Sequence, residues 1–475
     1  MPYDPTLVTW DGDNDPENPR NWPSRKKWIV TVLISLSTFA SNFGIANMAP
    51  ALGLISQDYH MTTSVERGLV IALYVLAFAV APLVYAPFSE IFGRKTVLMF
   101  GLCLYLAFNT ACAFAPSYEV LAVFRFFAGF GASAPLAVGG GLLTDVWPPE
   151  QRATAMAVFS LAPQMGPVLG PIMGGWITEL LVAWKDIVYI SSGLIAALLI
   201  AFIPFVKETY GPFILARRAA RRRKEESNPE LSTVFERKAE TLRIKLVKGM
   251  VVPFVLLFRE PLLQILVLYV GVLFAVFYLQ KTTIPAVYGT VYKEKPGIAS
   301  LHYLAIGLGL MIGGVIGGRR TDMEFRRLTV KNMGNAVPEF KLSIMRVFSF
   351  FPPVGLMLYS WSADQALPWA VSDLGLFIYA IGMSASVISA QAYLVECYAL
   401  LAAPALLASV FVRSTMGFSA PLFGEAMYDA LGLGGGGSMM AGICFAVGVP
   451  TPFLLFRFGP MLRARSTYAN HKHAD

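Results

Sequence analysis

The chain has 475 residues, of which 56% are hydrophobic and only 14% are charged. Soluble globular proteins are less apolar than this, and long apolar runs are the signature of transmembrane helices. The net charge of +8 does not indicate a nucleic-acid partner, because the charges lie between the apolar runs, where membrane topology accounts for them. We therefore predict an integral membrane protein that does not bind nucleic acid.

The chain begins with a polar segment, 1–27, which lacks the apolar core of a cleavable signal peptide. Twelve apolar runs follow, each of about the 20 residues that a helix needs to cross a membrane. They lie at about 28–52, 68–88, 96–115, 118–143, 153–181, 187–206, 262–288, 298–318, 342–361, 370–395, 402–424 and 437–457. We number them spans 1 to 12 and predict an all-α membrane protein with twelve transmembrane helices.

The distribution of positive charge predicts the orientation of these helices. From Lys207 to Lys248 there are twelve Lys and Arg against six Asp and Glu, and cytoplasmic loops are the ones enriched in Lys and Arg. Other basic positions fall on the same side: Arg94–Lys95, Arg319–Arg320, Arg326–Arg327, Arg463 and Arg465. The loops at 116–119, 362–369 and 424–436 carry no Lys or Arg, so we place them on the outer side and both termini in the cytoplasm.

The basic stretch divides the chain into two sets of six helices. We predict a cytoplasmic N-terminal segment at 1–27, an N-terminal half at 28–206, a cytoplasmic basic linker at 207–261, a C-terminal half at 262–457 and a cytoplasmic tail at 458–475. We interpret the linker as a topology anchor, and binding of anionic lipid is the alternative that its charge offers.

A repeated charge pattern supports two related halves. An acid with basic residues at +4 and +5 follows spans 2 and 8: Glu90, Arg94 and Lys95 in the first half, Asp322, Arg326 and Arg327 in the second. Spans 4 and 10 both end in an acid, Asp145 and Glu396. Parallel six-helix repeats of this kind occur in transporters.

Spans 5 and 8 collect small and helix-breaking residues. Span 5 has Gly166, Gly170 and Gly174 four apart, with Pro167 and Pro171 beside them. Span 8 repeats the spacing at Gly309, Gly313 and Gly317. Such stripes let membrane helices approach closely, and prolines bend a helix. We expect the two stripes to face each other and form a mobile interface between the halves; ordinary helix packing with no role in motion is the alternative.

Several stretches together carry a resemblance to a known family. "GPVLGPIMGG" in span 5 resembles the antiporter motif of the major facilitator superfamily, "APFSEIFGRKTV" its loop 2–3 motif, and "VFRFFAGFGAS" its helix 4 motif. "WDGDNDPENPRNW", "QAYLVECY" and "PLFGEAMYDALGLG" are similar to stretches of the fungal drug:proton antiporters with twelve spans. Ala86 stands where a glycine is usual, and Gln280-Lys281 where that subfamily has an uncharged aromatic pair.

The resemblance implies a central cavity lined mainly by helices 1, 4, 7 and 10, which rocking of the halves opens to alternate sides. It implies that Glu90, with Arg94 and Lys95, forms a cytoplasmic latch that holds in one state and breaks in the other. By resemblance, Arg413 lies near this latch and Arg125 is the arginine of the helix 4 motif.

Charged side chains inside the spans indicate the substrate. Arg125 in span 4 and Lys281 in span 7 lie at similar depths, roughly 10–12 Å from the outer surface at 1.5 Å per residue. Spans 4, 5, 7 and 8 have no mid-membrane Asp or Glu. Ionisable residues in spans are usually functional, so we expect Arg125, Lys281 and neighbouring Gln280 to bind one anionic substrate. Snorkelling of Lys281 and a structural or proton-gating role for Arg125 remain the alternatives.

The sequence thus predicts a plasma-membrane exporter of a small amphipathic, anionic organic molecule, coupled to protons, with the vacuolar membrane as the alternative location. We expect a monomer in contact with membrane lipids, without cofactor or bound metal. An organic-acid transporter for a dicarboxylate and a transporter-like nutrient sensor are the rival functions. The four histidines, His60, His302, His471 and His473, are scattered, and no nucleophile or metal-binding constellation indicates an enzyme.

Overall fold

The computed structural model describes residues 6–12, 14–237 and 242–469. Within these ranges the chain is almost entirely helical and contains no β-strand, apart from an isolated bridge between Leu7 and Ser232. The predicted all-α class is confirmed. The ends of the predicted N-terminal segment and tail, including His471 and His473, and part of the linker fall outside the described residues.

The six spans of the N-terminal half all fall on helices. Span 4 consists of two helices that meet at Ser133, because Pro135 lacks the N–H that would continue the ladder. The helices are α1 (Ser24–Ala46), α2 (Leu52–Asp58), α3 (Ser64–Ile91), α4 (Arg94–Cys112), α5 (Tyr118–Ala132), α6 (Ala134–Val146), α7 (Pro149–Leu181) and α8 (Trp184–Phe205).

Three helices form the linker between the halves, and the C-terminal half follows. The linker contains α9 (Gly211–Glu225), α10 (Val234–Arg237) and α11 (Leu242–Arg259). The C-terminal half contains α12 (Pro261–Thr290), α13 (Pro296–Leu301), α14 (Tyr303–Lys331), α15 (Ser343–Phe348), α16 (Phe351–Asp364), α17 (Trp369–Cys397), α18 (Ala402–Ile443) and α19 (Pro450–Arg465).

Spans 11 and 12 lie on one continuous helical stretch with a sharp kink. Ala399–Arg465 is 67 residues long, which as a straight helix would measure roughly 100 Å at 1.5 Å per residue, over three times the ~30 Å membrane core. Gly432 breaks it with φ 71° and ψ 170°, a conformation that suits glycine. The stretch therefore crosses twice, and the described residues contain twelve crossings.

The N-terminal segment packs on the first linker helix. Arg218 of α9 donates two hydrogen bonds to the buried Asp15, at 2.7 and 3.1 Å, and two to Glu17, at 2.9 and 2.7 Å. The hydrogen bonds from Arg218 lower the pKa of Asp15 to about 2. Part of the positive charge of the linker is therefore neutralised within the protein.

The glycine stripe of α7 packs inside its own half, which corrects the expected interface. A Cβ added to Gly166, Gly170 or Gly174 would lie only 2.0–2.7 Å from atoms of α1 and its C-cap, at Asn42, Phe43 and Asn47. Pro167 and Pro171 are buried in the same helix. This stripe lets α1 and α7 approach closely.

The stripe of α14 likewise packs inside the C-terminal half. A Cβ on Gly309, Gly313 or Gly317 would lie 2.5–2.6 Å from the nearest atom of α17, at Phe377, Ile381 and Ala385. The expectation that the two stripes face each other is therefore wrong. Spacing reveals that a helix has a bare face, but small residues accept any close neighbour, so the pattern does not specify the partner.

Candidate transport site and gates

The two halves meet on the outer side, along a different face of α7. The N–H of Gly297, at the start of α13, donates to Glu179 Oε2 at 2.9 Å. Gly175 lies against Ser300, and Val168 against Gly307. These contacts close the outer side.

The same face of α14 separates from α7 toward the cytoplasm. A Cβ on Gly314 would lie 3.5 Å from Gln164 Oε1, whereas a Cβ one turn farther along, at Gly318, would have no described atom of another helix within 4 Å. The halves are thus in contact outside and diverge along this pair of helices inside.

An ion pair joins the halves at a second outer position. Arg67, at the start of α3, donates from Nε and Nη2 to the two carboxylate oxygens of Glu425 in α18, at 3.0 and 2.5 Å. Next to it, Gly68 approaches the backbone of Pro421. Both side chains of the pair are partly exposed, so the contact is accessible from the outside.

The charges at the cytoplasmic end of the N-terminal half form a network, but not through the expected acid. Arg94 donates to Asp145 at 3.2 Å and to Ser89 at 2.6 Å. The backbone N–H groups of Arg94 and Lys95 donate to Glu208 at 2.8 and 3.2 Å. Glu90 is exposed, with no hydrogen bond or ion pair to any described residue. In this state Glu208, not Glu90, occupies the N-terminus of α4, where a carboxylate is favourable.

Gly93 explains how Glu208 comes so close. Its φ of +89° is left-handed, and an added Cβ would collide with the Glu208 carboxylate. Glycine is therefore required twice, by backbone conformation and by space.

The matching charges of the C-terminal half form separate contacts. Asp322 accepts from Lys341 at 3.0 Å, and Arg327 donates to Glu324 at 3.1 Å. Arg326 is exposed, and Glu396 is half-buried. Asp322, Arg326 and Arg327 lie within α14, which continues to Lys331, whereas the first-half motif spans a helix break.

The acids that end spans 4 and 10 occupy equivalent positions. Asp145 is the second-last residue of α6, and Glu396 is the second-last residue of α17. The two halves therefore resemble each other more closely at these acids than at the loop motifs.

Arg125 is fully buried and ties three helices of the N-terminal half together. Its Nε donates to the carbonyl of Val70 at 3.1 Å, and its Nη2 to that of Gly44 at 2.9 Å. Its guanidinium carbon lies 4.4 Å from the centre of the Tyr74 ring. Only Nη1 has no partner among the described residues. This geometry favours the structural alternative over substrate binding.

Gln280 and Lys281 are buried without polar partners. They are 0% and 1% exposed, and neither the Gln280 amide nor Lys281 Nζ has a hydrogen-bond partner within the described part of the chain. The Lys281 ammonium lies 4.7 and 4.9 Å from the ring centres of Phe277 and Tyr278. Cation–π contact offsets part of the cost of burying the ammonium, by about 2 kcal/mol when desolvated. Lys281 therefore does not snorkel to the surface.

Pro285 accounts for an unusual hydrogen bond to the backbone carbonyl of Lys281. Pro285 cannot donate the hydrogen bond that the carbonyl of Lys281 would accept from a residue four positions on. The hydroxyl of the buried Tyr303 donates to that carbonyl instead. Tyr303 thus holds the backbone of Lys281, whose ammonium has no polar partner, in place.

Arg413 lies at this aromatic cluster and not at the latch, which corrects its expected position. Its guanidinium carbon is 4.7 Å from the ring centre of Phe274, which lies 6.4 Å from that of Tyr278. Arg413 is the twelfth residue of α18, roughly 17 Å into the helix, and is half-buried. We define the Lys281 site as Phe274, Phe277, Tyr278, Gln280, Lys281 and Arg413.

Among the described residues, no contact joins Arg125 to the Lys281 site. From its place on α5, Arg125 contacts residues of α1 and α3, whereas the contacts of Lys281 are within α12 and α14. The expectation that one anion touches both side chains is therefore unsupported.

The sequence analysis did not predict three groups: Glu208, the pair Arg67–Glu425, and a cluster of Glu294, His302 and Asp373. Most of their members lie in loops or near helix ends, where charge is ordinary, and most of the partners are far apart in sequence. A search for polar residues flanking outer loops would have found them individually but not their pairing.

Comparison with known proteins gives a consistent result. Residues 34–421 match the Major Facilitator Superfamily. An efflux pump of Penicillium aethiopicum is 37% identical over 467 residues, covering 98% of this chain and 92% of that protein. The ascochitine biosynthesis cluster transporter of Didymella fabae is 33% identical over 467 residues, covering 98% and 90%. A crystal structure of a D-xylose–proton symporter shares the fold, with a TM-score of 0.64 at 13% identity over 92% of this chain and 99% of that one.

The family match runs from span 1 into span 11, and the relatives cover nearly the whole chain. The chain is therefore a multi-pass membrane transporter, not an enzyme, and it belongs to the Major Facilitator Superfamily.

Proposed function

We propose that this transporter is an exporter of a small amphipathic organic anion, working by alternating access with protons as the coupling ion. Its relatives include a protein named as an efflux pump and one named for a biosynthesis cluster, which supports export of a secondary metabolite. The observation that carries the anionic substrate is the buried Lys281 without a polar partner.

The physical argument concerns the cost of an unpaired charge. A buried charged group is costly unless it is hydrogen-bonded or paired. Among the described residues, no carboxylate forms an ion pair with Lys281 or Arg413. A carboxylate or enolate on the substrate would supply the missing acceptor, while Phe274, Phe277 and Tyr278 would contact its apolar part.

The membrane potential favours this direction of transport. An anion leaving a cell that is negative inside gains about 2.3 kcal/mol per charge for every 100 mV. Proton coupling adds to that driving force. Separate collapse of the potential and of the pH gradient with ionophores, in vesicles, measures the share of each.

The test compares a fluorescent amphipathic carboxylic acid with its neutral methylamide. Lys281→Met should weaken transport affinity for the acid about 10- to 100-fold, since a hydrogen bond to a charged group contributes ~1.5–3 kcal/mol. The methylamide should be nearly unaffected, and Lys281→Arg should keep part of the activity because the charge persists.

Lys185→Met is the matched control, because Lys185 is exposed and lies 5.8 Å from the Trp184 ring centre without facing the site. Equal loss for acid and methylamide would remove the anion-binding role. Export of cations alone would refute the basic site altogether.

We further propose that the protein is a monomer in contact with membrane lipids. Its location is the plasma membrane, with the vacuolar membrane as the alternative. Lipid contact is supported by a cavity of about 710 Å³ between the N-terminal segment and α9, with Trp22 and Phe213 among its lining residues. Two acids, Glu17 and Glu208, also line it, but its basic lining residues outnumber them: Lys26, Lys207, Arg217, Arg218, Arg221 and Lys224. Such a basic, partly aromatic cavity at the cytoplasmic face suits anionic lipid headgroups.

A further inference from the structure

At the outer end of the C-terminal half, a histidine lies between two carboxylates. His302 Nδ1 is 2.8 Å from Asp373 Oδ2, and its Nε2 is 2.8 Å from Glu294 Oε2. The Tyr288 ring stacks on the imidazole at 3.7 Å, and its hydroxyl donates to Asp373 at 2.6 Å. His302 is buried, and both carboxylates are mostly buried.

The two short contacts require protons. Neutral imidazole has one N–H and one acceptor nitrogen, while ionised carboxylates only accept. Both contacts are hydrogen bonds only if a second proton is present, either on the imidazole or on one of the carboxylates. Loss of that proton would place a lone pair against a carboxylate oxygen at 2.8 Å. The geometry therefore describes the proton-loaded form of a triad, Glu294–His302–Asp373.

The side chains packed around His302 indicate that the triad itself is the group that titrates. Tyr288 of α12 stacks on Tyr292, which follows the end of α12, and the Tyr292 hydroxyl is hydrogen-bonded to Ser372 of α17. From α17, the uncharged Trp369 ring lies 5.5 Å from the imidazole. In the loop, Lys293 and Lys295 flank Glu294 and are exposed. In the described parts of the chain, the acids in ion-pair contact with His302 are Glu294 and Asp373 alone.

The triad is linked directly to the outer contact between the halves. Glu294 is three residues before Gly297, whose N–H bonds to Glu179 of α7. Ser300, two residues before His302, is fully buried and packs against Gly175 of α7. A change in the Glu294–His302 contact therefore acts on the segment that closes the outer side.

We propose that the Glu294–His302–Asp373 triad is a proton-binding site of the transporter, and that its proton holds the outer gate closed. This deepens the proposed function, on which it rests in taking outer opening as a step of the transport cycle. With the gate open, a proton from outer water binds the imidazole, giving an imidazolium that donates to both carboxylates. With the extra proton gone, the contact with Glu294 is lost and the segment that includes Ser300 separates from α7.

The test measures outer opening directly, without substrate. Ser300→Cys, in a protein whose four native cysteines are replaced by alanine, reacts with a membrane-impermeant maleimide when α13 separates from α7. Its rate is divided by that of Gln365→Cys, which is exposed in an outer loop, because thiol reactivity itself rises with pH. We expect the ratio to rise about fivefold or more between pH 5 and 8, since histidine titrates in this window and site couplings are typically 5- to 150-fold.

His302→Gln cannot take up the proton, so its labelling ratio should not change with pH. His60→Gln, at an exposed outer histidine, is the matched control and should behave like the parent. Glu294→Gln, in the loop, should also flatten the profile and serves if His302→Gln does not reach the membrane. A parent ratio independent of pH, or an unchanged profile in both triad variants, overturns the proton site. Failure of anion export with a normal labelling profile overturns only the proposed substrate.

Discussion

A buried positive charge has hydrogen-bond acceptors in the N-terminal half, at Arg125, and none in the C-terminal half, at Lys281. In the N-terminal half, Arg125 is fully buried, yet two of its nitrogens donate to backbone carbonyls and its plane lies against Tyr74. In the C-terminal half, Lys281 is equally buried, but its ammonium contacts only aromatic rings. The sequence placed both at similar depths, in spans 4 and 7 of opposite halves, with no signal to separate them.

The difference separates a structural charge from a binding charge. A cation that already has acceptors stabilises the contacts it makes, and its removal leaves buried carbonyls unpaired. A cation without acceptors destabilises the fold, and proteins retain such groups at functional sites. Predictions about folding stability should therefore have opposite signs at the two residues.

The largest expected effect is at Arg125. Arg125→Met should lower stability by several kcal/mol, because each hydrogen bond to a charged group contributes roughly 1.5–3 kcal/mol. Lys281→Met should leave the melting temperature unchanged or raise it, because replacing a buried charge by a hydrophobic residue of similar volume is often neutral or stabilising. Thermal melting in detergent and surface expression measure both. Arg125→Lys, which keeps the charge but not the planar fork, should fall between the parent and Arg125→Met. Equal melting temperatures for the two Met variants would contradict the distinction between a structural charge at Arg125 and a binding charge at Lys281.

A smaller effect is expected where the backbone supports Lys281. Tyr303→Phe removes the donor to the carbonyl that Pro285 leaves free, so stability should fall by ~1–3 kcal/mol, the cost of an unsatisfied buried acceptor. Transport of the acidic probe should weaken as the ammonium loses its fixed position. Tyr189→Phe, at a half-exposed tyrosine of α8, is the control. If Tyr303→Phe melts like the parent, the Lys281 site does not need this support.

The smallest effect is expected where the halves meet. Glu425→Gln removes the charge that faces Arg67, and a partly exposed pair contributes at most about 1 kcal/mol, so outer opening should increase about fivefold or less. The Ser300→Cys labelling ratio reports it, and the effect should be the same at low and high pH, unlike that of the triad. Glu119→Gln, an exposed acid on the outer end of α5, should have no effect. A pH-dependent Glu425→Gln effect would show that this pair and the triad are not independent.

The architecture could be predicted largely from local features. Apolar runs located the twelve crossings because the membrane imposes a minimum length on each. The motif resemblance predicted the family that the whole-chain matches then confirmed. The site was predicted less well: substrate binding by Gln280 and Lys281 stays a prediction, whereas Arg125 serves the packing of its own half and Arg413 lies at the aromatic cluster, away from the latch.

The sequence by itself determined the number of crossings, the repeat of terminal acids at Asp145 and Glu396, and the presence of bare faces on α7 and α14, because hydropathy and helical spacing are properties of neighbouring residues. Only the tertiary structure decided which helix covers each bare face, that Glu208 and not Glu90 meets the start of α4, and that His302 lies between Glu294 and Asp373. His302 and Asp373 are 71 positions apart in the chain. A glycine accepts any close neighbour and a carboxylate any donor, so these partners follow from the packing of whole helices and leave no trace in local spacing.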